Sequence, residues 1–345
     1  MGGAGTMDGA AQRPRADRAD PWRLCVAPMM DWTDRHCRAF HRLLSPHARL
    51  YTEMVTTGAL LHGDVARHLD FDAAEHPVAL QLGGSEPADL AHCARLGEAQ
   101  GYDEINLNCG CPSERVQRGA FGACLMAEPD RVAEAVRAMR DAVAVPVTVK
   151  HRLGIGRNED YGLVRDFVGR CQEAGCEVFI VHARNAWLEG LSPRDNREVP
   201  PLRPEVARRL KADFPAARFV LNGGLSDVPQ AVAALDGFDG VMLGRLAYQQ
   251  PYALAQVDAA LFDAGGTPAA PQDVIEPLTR YLETAVARGA PPWAVIRHTL
   301  GLFHGQRGAR EWRRRLSDPA FVGRHGTDAL RVAAQALAPL ADALA

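Results

Sequence analysis

Short apolar runs alternate with amphipathic stretches from residue 23 to about 260. The runs occupy 24–27, 50–52, 78–80, 105–107, 147–149, 178–181, 219–221 and 241–243. Stretches with helical periodicity lie between several of them, at 88–100, 130–143, 161–174, 204–214 and 228–235. Apolar runs without strict alternation point to parallel strands covered by helices. Eight such βα units predict an α/β protein built as a (β/α)₈ TIM barrel, with a doubly wound sheet as the second choice. Around residue 265 the texture changes. The segment from Gly265 to Pro271 reads as a linker, and helical stretches follow at 274–288, 293–303, 308–316 and 327–344 with no further strand. A small C-terminal helical bundle is expected there. The expected organisation is a disordered tail over 1–21, a barrel over 22–262 and a helical unit over 272–345.

Each run stops at a polar or special residue. These are Pro28-Met29, Glu53, Gln81, Asn108, Lys150, His182, Asn222-Gly223-Gly224 and Gly244-Arg245. In a barrel such ends converge on the carboxyl rim, where sites are built. The plainer reading is that strands simply end at polar residues, but a set holding Gln, Asn, Lys and His together favours a site. The glycines after the seventh and eighth runs let the backbone approach a phosphate, with Arg245 adding charge. Lys150 at the end of the fifth run suits an anionic ring such as the N1/O2 edge of a reduced flavin. His182 ends the sixth run.

Composition limits the function classes. The chain has 345 residues, 47% hydrophobic and 23% charged. Those are ordinary globular values, which exclude disorder of the whole chain. No apolar run reaches the roughly 18 residues of a membrane span. The first twenty residues carry no apolar signal-peptide core, and Met7 is a second plausible start. Eight cysteines are therefore expected as reduced thiols of a cytoplasmic protein. Cys111 stands between Gly110 and Pro112, where a thiol can serve as nucleophile, acid or ligand. Cys109, Cys111 and Cys124 lack the paired spacing of a zinc or iron–sulfur site, so no metal is expected. Cys25, Cys37, Cys93, Cys109, Cys171 and Cys176 read as buried small apolar residues.

A net charge of −3 discourages an RNA partner until the distribution is considered. Between residues 297 and 324, seven arginines stand against two acids, which gives +5 over 28 residues. Arg310 and Arg313 share a helical face, with Trp312 interleaved. The stretch 182–197 adds Arg184, Trp187, Arg194 and Arg197. Both segments suit phosphate and base contacts. A solvated charged loop and a salt-bridged helix face are the alternatives.

The ordered motifs Val26-Ala27-Pro28-Met29-Met30-Asp31-Trp32-Thr33-Asp34, Gln81-Leu82-Gly83-Gly84, Asn106-Leu107-Asn108-Cys109-Gly110-Cys111-Pro112-Ser113, Val149-Lys150, His182-Ala183-Arg184, Asn222-Gly223-Gly224 and Gly244-Arg245 resemble the tRNA-dihydrouridine synthases. The Gly190-Leu191-Ser192-Pro193 segment and Gly308-Ala309-Arg310-Glu311-Trp312-Arg313-Arg314 resemble the subfamily associated with positions 20 and 20a of the D-loop. The likeness covers about residues 22–320. One departure is Cys109, in place of the family's valine. The resemblance implies an FMN enzyme that uses NADPH to reduce the C5=C6 bond of uridine in tRNA, acting as a monomer. It implies hydride delivery to C6 and protonation of C5 by Cys111. Pro28, Met29, Gln81, Lys150, His182, Asn222, Gly223, Gly224, Gly244 and Arg245 would hold FMN. Asn108, Arg194, Arg197, Arg310 and Arg313 would contact tRNA. Two other readings are a flavin reductase of a free pyrimidine and a non-catalytic tRNA-binding protein.

Overall fold

The computed structural model of the chain describes residues 20–262, 267–335 and 337. Most of the expected tail, the start of the linker and the end of the last expected helix lie outside the described residues. Nine parallel strands form one sheet: β1 (Leu24–Val26), β2 (Leu50–Tyr51), β3 (Val55–Thr56), β4 (Val78–Gly83), β5 (Glu104–Cys109), β6 (Val147–Arg152), β7 (Val178–His182), β8 (Arg218–Asn222) and β9 (Gly240–Leu243). The order β1-β9-β8-β7-β6-β5-β4-β2 closes because Cys25 bridges Arg49. There the Val26 amide donates to the Arg49 carbonyl and the Arg49 amide to the Leu24 carbonyl, both at 2.9 Å. β2 and β3 both pair with β4, so they are two pieces of one stave in an eight-staved barrel. This is the (β/α)₈ barrel that the eight runs predict.

The strands separate two apolar layers. Val78, Leu80, Ile105, Leu107, Val149, Phe179, Phe219 and Val241 belong to the layer shared with the outer helices, including Leu90, Val136 and Phe167. A second cluster, with Cys25, Tyr51, Ala79, Val178, Ile180, Val220 and Met242, forms the inward set. On β5 and β6, and at Gln81 of β4, the inward positions are polar instead. Glu104 is fully buried there. Its carboxylate accepts from Trp22 Nε1 at 2.7 Å and from Tyr51 Oη at 2.8 Å, and the Arg49 guanidinium lies 3.3 Å away. From Glu104 a chain of side chains climbs toward the rim. Thr148 Oγ1 donates to Glu104, Asn106 Nδ2 to Thr148 Oγ1 at 2.7 Å, and Gln81 Nε2 to Asn106 Oδ1 at 2.7 Å. Asn108 Nδ2 then donates to Gln81 Oε1 at 2.8 Å.

The strands run longer than the apolar runs. β4 continues to Gly83, β5 to Cys109 and β6 to Arg152. Gln81, Asn108 and Lys150 therefore stand inside strands rather than at their ends. Polar inward residues satisfy one another, so they do not terminate the ladder.

After the barrel come helices Ile275–Ala287, Pro292–Ile296, Ala309–Leu316, Pro319–His325 and Ala329–Gln335. The helix expected over 293–303 stops at Ile296. Beyond it the backbone bonds shorten to i→i−3 turns, from the His298 amide to the Val295 carbonyl at 3.2 Å and from the Thr299 amide to the Ile296 carbonyl at 3.0 Å. Gly301 then lies against Gln249, where a Cβ would sit 2.4 Å from the carbonyl oxygen. Trp312 corrects the reading of an aromatic interleaved in a surface patch. It is fully buried, packs edge-on against Phe303 and donates from its indole nitrogen to the Thr299 carbonyl at 3.0 Å. The helical part meets the barrel at Asp34. That carboxylate caps the helix Arg35–Leu44, lies 2.5 Å from Arg297 Nη2 and 3.0 Å from His298 Nε2, and is held well below the usual carboxylate range by hydrogen bonds and charge from these partners.

Glu104→Ala would leave Arg49 as a buried charge without its partner. The expected loss is about 3–5 kcal/mol of folding stability, read as a lowered denaturation midpoint. A midpoint equal to that of the wild type would show that the carboxylate is not the electrostatic anchor of the barrel interior.

Candidate active site at the carboxyl rim

Asn108 builds the loop that carries Cys111. Its Oδ1 accepts from the amides of Gly110 and Cys111 at 3.0 and 2.9 Å, while its Nδ2 is tied to Gln81. Behind the loop, Gly122 adopts φ +67°, and the Ala123 amide donates to the Cys111 carbonyl at 3.0 Å. Gln117 Nε2 reaches the carbonyls of Pro112 at 2.8 Å and Leu188 at 3.0 Å. The result presents a part-exposed Cys111 with Sγ 3.5 Å from Ser113 Oγ. Cys109, two residues away, is fully buried among Cys171 and Cys176, and burial pushes its thiol far up. The two cysteines thus separate into one available thiol and one inert one. The other five cysteines expected inside, Cys25, Cys37, Cys93, Cys171 and Cys176, are also buried. No cluster with metal-binding composition occurs among the described residues.

Cations crowd the rim beside this loop. Lys150 Nζ donates to Asn222 Oδ1 at 3.0 Å, and Asn222 Nδ2 donates to the Met242 carbonyl at 2.8 Å. Burial, followed by the charge of Arg152, pushes the Lys150 ammonium down to about 7. His182 is pushed well below its ordinary value by burial and by Arg152, Lys150, Arg184 and Arg197, so its imidazole is neutral at pH 7. Arg184 and Arg197 are also lowered, by burial first and then by Arg245. So many cations depressing one another make a place that an anion would relieve. Gly223 supplies the floor. Its φ is +92°, and a Cβ would stand 2.3 Å from His182 Cδ2, so only glycine lets the backbone lie against the imidazole. Gly224 follows at φ +77°. Gly244 precedes the short helix Arg245–Gln249, and Arg245 pairs with Glu198. Pro28 and Met29 follow β1, with the Met29 amide held by Thr33 Oγ1 at 2.9 Å and Met29 packed on the inward cluster.

Arg152 is a site residue that inspection of run ends misses. It is buried at the end of β6 and donates to three backbone carbonyls: Gly110 from Nε at 2.9 Å, and Asn185 and Asn196 from Nη1 at 3.1 and 2.9 Å. It clamps the Cys111 loop to the loop after β7. The available signal was the alternation Thr148-Lys150-Arg152, which places all three on the inward face. The segment after β7 carries Arg194 and Arg197, both exposed. Arg310 and Arg313 are exposed on the helix Ala309–Leu316, with Ala309, Trp312 and Leu316 buried on its other side. Arg314 and Arg315 pair with Glu311 and Arg297 with Asp34, so the salt-bridged reading holds for these three. Among the described residues, Arg307, Arg310, Arg313 and Arg324 have no ion-pair partner within 4.0 Å.

The family profile described as dihydrouridine synthase (Dus) matches residues 25–338. The chain belongs to the dihydrouridine synthase family. It is 57% identical over 308 residues to a tRNA-dihydrouridine(20/20a) synthase of Pseudomonas putida, covering 89% of this chain and 92% of that one. Relatives of the same name from Yersinia pestis and Vibrio parahaemolyticus are 54% and 52% identical, over 92% and 90% of this chain and 92% and 95% of theirs. A solved 2-naphthoyl-CoA reductase complex superposes with a TM-score of 0.52 at 10% identity, over 69% of this chain and 50% of that one. That likeness concerns the barrel fold alone. No described helix of this dihydrouridine synthase family member is long and apolar enough to cross a membrane.

The depressed Lys150 gives a pH test with a definite sign. Its folded form binds a proton less readily than the unfolded chain, so folded stability rises with pH between about 7 and the ordinary lysine value. In protein stripped of small ligands, Lys150→Met is expected to raise the thermal midpoint most below pH 7, with the gain shrinking toward pH 10. An equal gain at pH 6 and pH 10 would show that Lys150 does not carry this strain.

Proposed function

We propose that the chain reduces the C5=C6 bond of uridine at positions 20 and 20a of the tRNA D-loop, giving 5,6-dihydrouridine. The observation that carries this is the pairing of one available thiol, Cys111, with a glycine-floored cation cluster beside it in the same barrel mouth. The names of its relatives give the substrate and the positions. The rim fits FMN. Asn222, Gly223, Gly224, Gly244 and Arg245 would take the phosphate end, and Lys150, His182, Gln81, Pro28 and Met29 the ring. When bound and reduced by NADPH, FMN supplies the hydride that reaches uracil C6.

The protein's own groups do the rest. Cys111 gives its proton to C5, acting as the general acid of the reduction. Asn108 fixes the loop amides, and Arg152 fixes the loop against its neighbour, so Sγ is held rather than wandering. With Oδ1 engaged twice, Asn108 can meet a uracil only through its remaining Nδ2 hydrogen. The target base must leave its stack to reach the barrel mouth. Arg194 and Arg197 would grip nearby phosphates, and Arg310 and Arg313 would grip the tRNA from the helical unit. In this reading residues 22–262 are the catalytic part and 272–345 the tRNA-binding part, working as a monomer in the cytoplasm.

Purified protein is expected to be yellow. A colourless preparation that still binds tRNA would favour a non-catalytic binder, and turnover of free uracil would favour a pyrimidine reductase. Nucleoside mass analysis of tRNA from a deletion strain, mapped by position, is expected to show dihydrouridine missing at 20 and 20a, and its persistence there would overturn the positional assignment. Cys111→Ala is expected to keep flavin and tRNA binding while slowing reduction about 10²–10⁴-fold. Full turnover by this variant would remove Cys111 as the proton donor. Arg310→Glu with Arg313→Glu is expected to weaken tRNA binding about tenfold or more at low salt with flavin absorbance intact, and unchanged affinity would sink the docking role of the helical unit.

A further inference from the structure

Beyond the barrel rim, β6 and β7 continue as a small paired extension. Ile155 bridges Ala186 in parallel register. The Gly156 amide donates to the Ala186 carbonyl at 2.7 Å, and the Ala186 amide to the Gly154 carbonyl at 2.8 Å. Two buried asparagines lock it. Asn185 Nδ2 donates to the Gly156 and Asn158 carbonyls at 3.1 and 2.7 Å, while its Oδ1 accepts from Arg203 at 2.7 Å. Asn196 accepts the Trp187 amide at 2.8 Å and donates to the Trp187 carbonyl at 2.8 Å. On this outcrop the guanidinium of Arg157 lies over the Trp187 ring, 4.1 Å from its centroid. Arg157 is exposed, and no carboxylate lies within 4.0 Å of its guanidinium among the described residues.

An arginine resting over an indole gives up part of its rotamer freedom in advance and costs less to order on binding. Asn196 ties Trp187 to the segment bearing Arg194 and Arg197, and Arg152 ties both asparagine carbonyls to Gly110. The cation on the outcrop is therefore fixed relative to the Cys111 loop. We propose that Arg157, stacked on Trp187, is a preorganised phosphate contact for the substrate RNA, outside the pocket that receives the target uridine. This rests on the tRNA reading given above. A polyanion fits the site better than a protein partner, because the neighbouring Arg194 and Arg197 are also exposed cations.

The test is the salt dependence of binding to an unmodified tRNA transcript, with flavin absorbance as the check of folding. Arg157→Ala is expected to weaken binding about three- to tenfold at low salt and to make the slope of log affinity against log salt shallower by about 0.7–0.9, the signature of one lost phosphate contact. Trp187→Leu keeps the backbone groups that Asn196 holds, so it is expected to lose affinity while retaining the wild-type slope. If wild-type protein binds the transcript and Arg157→Ala matches it in affinity and slope, the proposal falls and the tRNA reading stands. If Trp187→Leu binds as the wild type does, the stack has no organising role. Wild-type protein that binds no tRNA would remove the reading and the proposal together.

Discussion

A carboxylate sealed inside a barrel must be answered on every side, and the interior of this protein is arranged around that demand. Glu104 has Arg49, Trp22 and Tyr51 below it and Thr148 above it. Each rung above Thr148 donates downward toward the carboxylate, through Asn106, Gln81 and Asn108. The chain therefore has one direction, and aligned donors of this kind polarise one another. Its top rung hands the Asn108 oxygen to two amides of the Cys111 loop. The position of the available thiol is thus set by a buried charge near the opposite end of the barrel.

The cations beside that thiol follow an opposite logic. Lys150, Arg152, His182, Arg184 and Arg197 crowd together and weaken one another's charge. This arrangement costs stability in the protein alone. It resembles other binding sites in that strain is held where a ligand will relieve it. The glycine floor at Gly223 belongs to the same design, since it trades a side chain for closeness to His182.

Much of this was legible in the sequence, for a physical reason. Runs such as 147–149 and 219–221 record the outward face of each strand, which packs on helices and must be apolar whatever the site does. Their number and order therefore led to the barrel, and most helices between them start and stop within a residue or two of expectation. The inward face is decided by partners far away in the chain. Nothing local at Glu104 or Arg152 shows that Arg49 or the Gly110 carbonyl will meet it, and Trp312 looked like a surface aromatic because its arginine neighbours are solvated. Gln81, Asn108 and Lys150 were found because they are polar, but their place inside strands depended on distant partners, Gln81 and Asn108 on each other and Lys150 on Asn222. The identity of the reacting partners came from long motifs and from relatives, since no spacing of residues names a uridine.

The joint at Asp34 bears on modularity. A glycine- and proline-rich stretch after the barrel invites the view that the helical part is an attachment that could be clipped off or exchanged. Yet Asp34 simultaneously caps a barrel helix and holds Arg297 and His298, while Tyr248 lies flat on Trp32 at 4.2 Å and meets the edge of His298. A barrel severed at the linker would keep its helix cap and lose the Arg297 and His298 side chains that meet it, close to the Pro28-Met29 segment of the rim. The two parts are separate as paragraphs of sequence but share a sentence of chemistry. Exchange of the helical part between relatives would then have to carry Arg297 and His298 along with it.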